Sequence, residues 1–201
     1  MRKIEQNKLQ KRNSLLNSAL QLFINQGFHK TSVSEIVKSA GVAKGTFYLY
    51  FKDKYDLRNK VIIYKSNLIF HNAYDLMLTM EPASFEEQVI FMIDHIIDQL
   101  TKDHSLVTFL SKHLSWGFIM NTLIQSEQGT DENIRDIFLS DLANSSVQYS
   151  QPELMMYMII ELVSGTSYNA ILYGEPVSIE ELKPSLYQIV RSILHSHEIK
   201  N

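Results

Sequence analysis

The chain contains no cysteine. Disulfide frameworks and thiolate metal sites are therefore excluded, and a reducing compartment fits. Glycine and proline are also scarce, seven and four in 201 residues. With so few breakers and no sustained apolar–polar alternation, strands have little to be built from. Long apolar runs are missing as well. The longest, Leu154 to Ile160, has seven residues, far short of the ~18 that span a bilayer. The opening MRKIEQN lacks the apolar stretch of a signal peptide. Together these absences lead us to expect a soluble cytoplasmic protein with no membrane partner.

Catalytic patterns are missing too. Neither a Gly-rich phosphate loop nor Gly-x-Ser-x-Gly occurs. His195 and His197, two apart, point to different helix faces. His71 with Asp75 and His95 with Asp98 share faces, but two ligands do not make a metal site. No cofactor and no enzymatic role are expected.

What is present is asymmetric. Residues 1–65 hold thirteen Lys/Arg against four Asp/Glu, a net +9. Residues 66–201 hold six against eighteen, a net −12. A basic third on an acidic remainder points to a polyanionic partner for the first third.

Periodicity predicts an all-α chain. Leu15, Leu16, Ala19, Leu20 and Phe23 stripe a helix over about 8–26, closed by Gly27. Ser32 with Glu35 has capping-box spacing and opens a second helix. Gly41-Val42 breaks it, and a third helix occupies about 44–50. Asp53 caps a fourth that runs to about Met80, before Pro82. Further helices are expected near 84–101, 103–126, 132–148, 152–173 and 178–197, the last capped by Ser178 with Glu181.

Two short helices around a glycine-centred turn are the parts of a helix-turn-helix. The second is narrow enough for the major groove, about 12 Å wide. The stretch GVAKGTFYLYFKDK, Gly41 to Lys54, followed by Leu57, resembles the DNA-binding domain of the TetR (tetracycline-repressor-like) regulators, with the match concentrated in residues 13–57. The resemblance implies an N-terminal three-helix helix-turn-helix domain over 1–52. It also implies a C-terminal helical domain over 53–201 that binds a ligand and dimerises. The function implied is a ligand-responsive repressor on a near-palindromic operator, with double-stranded DNA, an unknown small molecule and a second copy as partners.

Carried to matching positions, Lys44, Gly45 and Thr46 face base edges or phosphates. Tyr48 reaches a phosphate or a thymine methyl. Thr31, Ser32 and Ser34 offer hydroxyls to phosphate, and Lys52 and Lys54 pair with phosphates. Phe47, Tyr50 and Phe51 pack inward, while Arg2, Lys3, Lys8, Lys11 and Arg12 form an arm. Ala43 departs from the family pattern, which has a capping Ser or Thr there. The loss of that acceptor costs ~1 kcal/mol.

In the acidic part, Val89 to Ile93 is apolar on every side, yet Asp94, His95 and Asp98 follow in the same helix. Buried charge needs a partner or water. A ligand cavity satisfies that need, and the resemblance implies one. Candidate lining residues are Asp94, His95, Asp98, Phe109, His113, Trp116, Met120, Met155 and Tyr168, with Phe118, Tyr149 and Tyr157 beside them. The carboxylates tilt the expected ligand toward a cationic or hydrogen-bonding compound. Leu162, Gly165, Thr166, Asn169 and Leu172 on one helix, and Leu186, Ile189, Val190, Ile193 and Leu194 on the next, are expected at the dimer contact. Two other readings stay open: a helical enzyme or carrier with a polar pocket around Asp94, His95 and Asp98, and a ligand-free DNA binder.

Overall fold

The computed structural model describes residues 3–110 and 134–199. Among these residues every regular element is an α-helix. A lone antiparallel bridge joins Tyr149 and Glu198.

Helix α1 runs Lys3–Gln26 and buries the expected stripe from Leu15 to Phe23. It starts five residues before the predicted position 8, because no Gly or Pro in that stretch stops it. Helix α2, Val33–Ser39, opens with the predicted capping box. The Ser32 hydroxyl accepts from the Glu35 N–H at 3.2 Å, and the Glu35 carboxylate accepts from the Ser32 N–H at 2.7 Å. Gly41, at φ +66°, reverses the chain in a conformation that a side chain would strain. Helix α3 is the short Lys44–Tyr48, and Ala43 gives it no side-chain cap. Helix α4, Lys54–Met80, begins where Asp53 accepts from the Asp56 N–H at 2.8 Å.

Beyond it lie α5, Phe85–Thr101, capped by Ser84, and α6, His104–Leu110. Then come α7, Ile134–Ala143, and α8, Pro152–Tyr173. Last is α9, Ile179–His197, with a second capping box at Ser178 and Glu181.

The chain divides into two compact units, Met1–Ser66 and Asn67–Asn201. The division falls within α4, not at residue 53. The first half of α4 belongs to the head because Leu57, Val61 and Ile62 are completely buried. They join Leu15, Leu16, Ile36, Phe47 and Phe51 as its core residues. In the second unit α8 packs on α9, both pack on α5, and α6 packs on α5 and α8. Its core includes Ile97, Leu110, Met155, Leu186, Val190 and Leu194.

Candidate nucleic-acid interface

Helix α3 is held from one side only. Phe47 and Phe51 are 0% and 1% exposed, with ring centroids 5.6 Å apart. Lys44 and Gly45 lie on the open side, and Thr46 is half-buried. Tyr48 is 55% exposed. Leu49 reaches 79%, more than any other large apolar side chain among the described residues. Sequence reasoning passed over Leu49. The signal was available, since Leu49 falls off the four-residue spacing that buries Phe47 and Phe51.

Gly45 is the informative glycine. A Cβ built there meets nothing within 4 Å. A glycine inside a helix costs roughly 0.5–1 kcal/mol relative to alanine. No contact among the described residues requires the bare backbone there.

Ser32 and Ser34 are exposed at the start of α2. The Ser32 hydroxyl also donates to Glu35 at 2.7 Å. Hydrogen bonds from Ser32, and then from Gln26, hold the Glu35 carboxyl below its usual range. Thr31 does not fit its expected phosphate role. It is 1% exposed, and its hydroxyl donates to the Gly27 carbonyl at 2.9 Å. Lys52 is exposed. Lys54 is also corrected: its ammonium donates to the carbonyls of Thr31 at 2.8 Å, Phe28 at 2.9 Å and His29 at 3.4 Å. Lys3, Lys8 and Lys11 are exposed but sit on α1, so from residue 3 onward the expected arm is a helix. Arg2 lies outside the described residues.

The second unit treats its charges differently. Asp94 and Asp98 do not wait for a ligand. Lys183 of α9 pairs with Asp94 at 2.9 Å and also with Asp98. The Tyr187 hydroxyl donates to the same Asp94 oxygen. Burial raises the Asp94 carboxyl, but the bonds from Tyr187 and Lys183 outweigh it and hold the group below its usual range. Burial, and then Asp94, push the Tyr187 hydroxyl upward. Toward the other end of the two helices, Glu86 pairs with Arg191 at 3.0 Å and with His195 at 2.7 Å. These residues form two rows at i, i+4 spacing: Glu86, Asp94 and Asp98 on α5, and Lys183, Tyr187, Arg191 and His195 on α9. The cationic tilt assigned to the ligand rested on those aspartates and is weakened, because Lys183 meets one of their two charges and the Tyr187 hydroxyl takes a further bond.

His95 stacks on Phe91, with rings 6.0 Å apart and 3° from parallel. It is not joined to the aspartates as a catalytic dyad, which removes the support for the enzyme reading. Groups of three or more metal-ligating side chains are absent among the described residues. Phe109 is half-buried. Tyr168 is half-buried too and meets Tyr173 edge-on at 6.2 Å. Met155 is 0% exposed, so it lines no water-sized space and is core. Tyr149 packs against Phe85 at 5.5 Å. His113, Trp116, Phe118 and Met120 lie outside the described residues.

The expected dimer stripe on α9 is mostly internal. Leu186, Val190 and Leu194 are at most 2% exposed, whereas Ile189 is 49% exposed. On α8, Gly165 and Asn169 are exposed, and a Cβ built on Gly165 again meets nothing within 4 Å. Leu154, Tyr157 and Tyr173 of α8 are 42–63% exposed. No described helix is long and apolar enough to cross a membrane.

Residues 15–61 match the family described as "Bacterial regulatory proteins, tetR family". The fatty acid metabolism regulator protein of Bacillus subtilis (strain 168) is 32% identical over 92 residues, which cover 46% of each chain. The match thus spans about half the length of that curated relative. Among solved structures, FadR from Bacillus subtilis in complex with stearoyl-CoA superposes at TM-score 0.60 and 22% identity, over 90% of this chain and 98% of that one. Thermus thermophilus FadR, a transcriptional repressor in complex with lauroyl-CoA, gives TM-score 0.62 at 17% identity, over 94% and 96%. At these identities the likeness to solved structures is one of fold.

Proposed function

We propose that this chain, whose residues 15–61 match the tetR family of bacterial regulatory proteins, is a DNA-binding transcriptional repressor released from its operator by a small molecule. The observation that carries this reading is Gly45. It is an exposed helical glycine with open space around it, on a head of net charge +9. Close approach of a polyanion gives that bare backbone a use. In this reading Lys44, Gly45, Thr46, Tyr48 and Leu49 meet the major groove. Leu49 offers its side chain to a thymine methyl. Ser32, Ser34 and Lys52 meet phosphates.

The repressor acts as a dimer through the outer faces of α8 and α9. Gly165 repeats the logic of Gly45, a bare helical backbone left open for a close neighbour, here a second copy. Two copies place their recognition helices on half-sites about 34–36 Å apart, on a near-palindrome. Such a protein works in the cytoplasm, where the chromosome is.

The effector belongs to the second unit, with His95, Phe109 and Tyr168 among its contacts; His113, Trp116 and Met120 stay candidates outside the described residues. Asn67 Oδ1, Gln88 Oε1 and Ser167 Oγ are buried with no hydrogen-bond partner among the described residues. Each such atom costs about 1–3 kcal/mol, which favours a bound group over the ligand-free reading. The effector class we propose is a long-chain acyl thioester. Two fold neighbours are named with such molecules, and Lys183 already meets one of the two aspartate charges of α5.

Selection from a random duplex pool by the full-length protein tests the DNA reading. A near-palindrome should emerge, with affinity falling steeply as salt rises, by ~0.9 in log–log slope per phosphate met. Affinity that ignores salt would rule the reading out. Stearoyl-CoA should release the labelled duplex while tetraphenylphosphonium should not; the reverse result would return the effector to the cationic class.

A further inference from the structure

The turn between α1 and α2 must present Ser32 at a fixed place, yet it makes little backbone hydrogen bonding of its own. The chain after Gly27 runs Phe28, His29, Lys30 and Thr31 with only one backbone bond of its own, from the Thr31 N–H to the Phe28 carbonyl at 3.3 Å. The carbonyls of an irregular turn need donors from elsewhere. Lys54, at the start of α4, supplies them. Its Nζ reaches the carbonyls of Phe28, His29 and Thr31 at 2.9, 3.4 and 2.8 Å. An ammonium has three donors, and all three are used. The same Nζ stands 4.5 Å from the centre of the Phe28 ring, and Arg58 covers that ring at 4.9 Å. From the α1 side, Thr31 donates to Gly27 at 2.9 Å, and Gln26 reaches both Thr31 and Glu35 at 3.3 and 3.5 Å.

We infer that Lys54 is a positioning residue for DNA recognition, a clamp that fixes the 28–31 turn and with it the start of α2, and is not a phosphate contact. The inference rests on the regulator reading above. It separates two roles with opposite chemical demands. A phosphate accepts arginine as readily as lysine, or better. Three carbonyls converging on one nitrogen suit a compact ammonium, and a flat guanidinium cannot place its donors there.

The test uses the full-length protein, the duplex it selects, and a scrambled duplex as control. In Lys54→Arg, which keeps the charge and the stem over Phe28, affinity for the selected duplex should fall at least tenfold. Affinity for the scrambled duplex and the salt slope should stay at wild-type values. A residue that merely supported folding would leave that discrimination unchanged in folded protein. Lys54→Met should weaken selected binding similarly, again without loss of slope, whereas Lys52→Met should lower the slope by ~0.9 per site. Without DNA, amide exchange over residues 29–35 should quicken about tenfold in Lys54→Arg. Wild-type affinity in Lys54→Arg, or a slope lowered by a full phosphate in Lys54→Met, would overturn the inference. So would unchanged exchange across the turn. A wild-type protein that selects no duplex would instead overturn the regulator reading, and the exchange experiment would still decide whether Lys54 holds the turn.

Discussion

The head and the acidic unit spend their charges in opposite ways. In the head, Lys30, Lys38, Lys44 and Lys52 are exposed on a surface with a threefold excess of basic over acidic residues. In the acidic unit, the carboxylates of α5 are turned inward on α9 and matched by Lys183, Tyr187, Arg191 and His195. One arrangement keeps a field available for an outside partner. The other sets part of its charge to holding two helices in register. Substitutions in the first should therefore change binding with little effect on stability, and those in the second should do the reverse.

The largest effect expected is from Lys44→Glu. In the proposed dimer it reverses a charge at the leading edge of α3 twice per operator. Operator affinity should fall more than ~100-fold, since a single good contact is worth ~1–3 kcal/mol. The melting temperature should stay within about 2 °C, because surface changes of this kind usually move stability by less than ~0.5 kcal/mol. Calorimetry with a binding isotherm checks both. A large fall in melting temperature would break the contrast. Next comes Gly45→Ala, which sharpens it: helix propensity should raise stability by ~0.5–1 kcal/mol, while the added methyl keeps the backbone from the duplex and lowers affinity about tenfold. Opposite signs in one substitution separate a surface built for a partner from one built for the fold.

The two regions also differed in how legible they were. In the head, neighbours in sequence are neighbours in space. The Ser32–Glu35 box, the Gly41 reversal and the missing cap at Ala43 were all readable, because each spans at most four residues. Thr31 and Lys54 misled because their partners are carbonyls, which leave no mark in a sequence. The Lys54 ammonium closes on residues 23–26 positions away. In the acidic unit the aspartates were read as orphans because Lys183 is 85 positions from Asp98. The spacing of both rows was visible, four-residue steps on α5 and on α9. What one sequence does not state is that the two rows face each other. Among the described residues helix existence was readable, since eleven Gly and Pro in 201 residues leave few places for a helix to stop.

Lys183→Met probes the seam itself. Lys183 has a side chain 12% exposed between two carboxylates that are 45% exposed. Its loss leaves like charges close together with no cation. The half-exposed carboxylates can still draw on water, so the cost should be about 1–2 kcal/mol, below that of breaking a fully buried pair. Adding Asp94→Asn and Asp98→Asn should recover most of it, because no charge is then left unmet. Operator affinity of the folded protein should change less than threefold. A loss of affinity without a loss of stability would break the contrast from this side.

The smallest effect expected is the pH response of the same seam. The Asp94 carboxyl sits below its ordinary value of 3.8, so the unfolded chain binds that proton more readily than the folded one. Its contribution to stability is therefore complete above about pH 4 and is lost as the pH falls through the lower, folded value. Lys183 has the opposite sign. Burial lowers it, but Asp98 and Asp94 together hold it above its ordinary 10.5. Its share is complete below that value and lost at higher pH. Between the two limits the Asp94–Lys183 pair should be insensitive to pH. Chemical denaturation of wild type and Asp94→Asn from pH 7 down to pH 3 isolates the carboxylate. The gap between the two curves should be constant through the neutral range and close below about pH 4. A gap that instead opens as the pH falls would mean that Asp94 is held protonated in the fold, and the pairing with Lys183 would not be what joins α5 to α9.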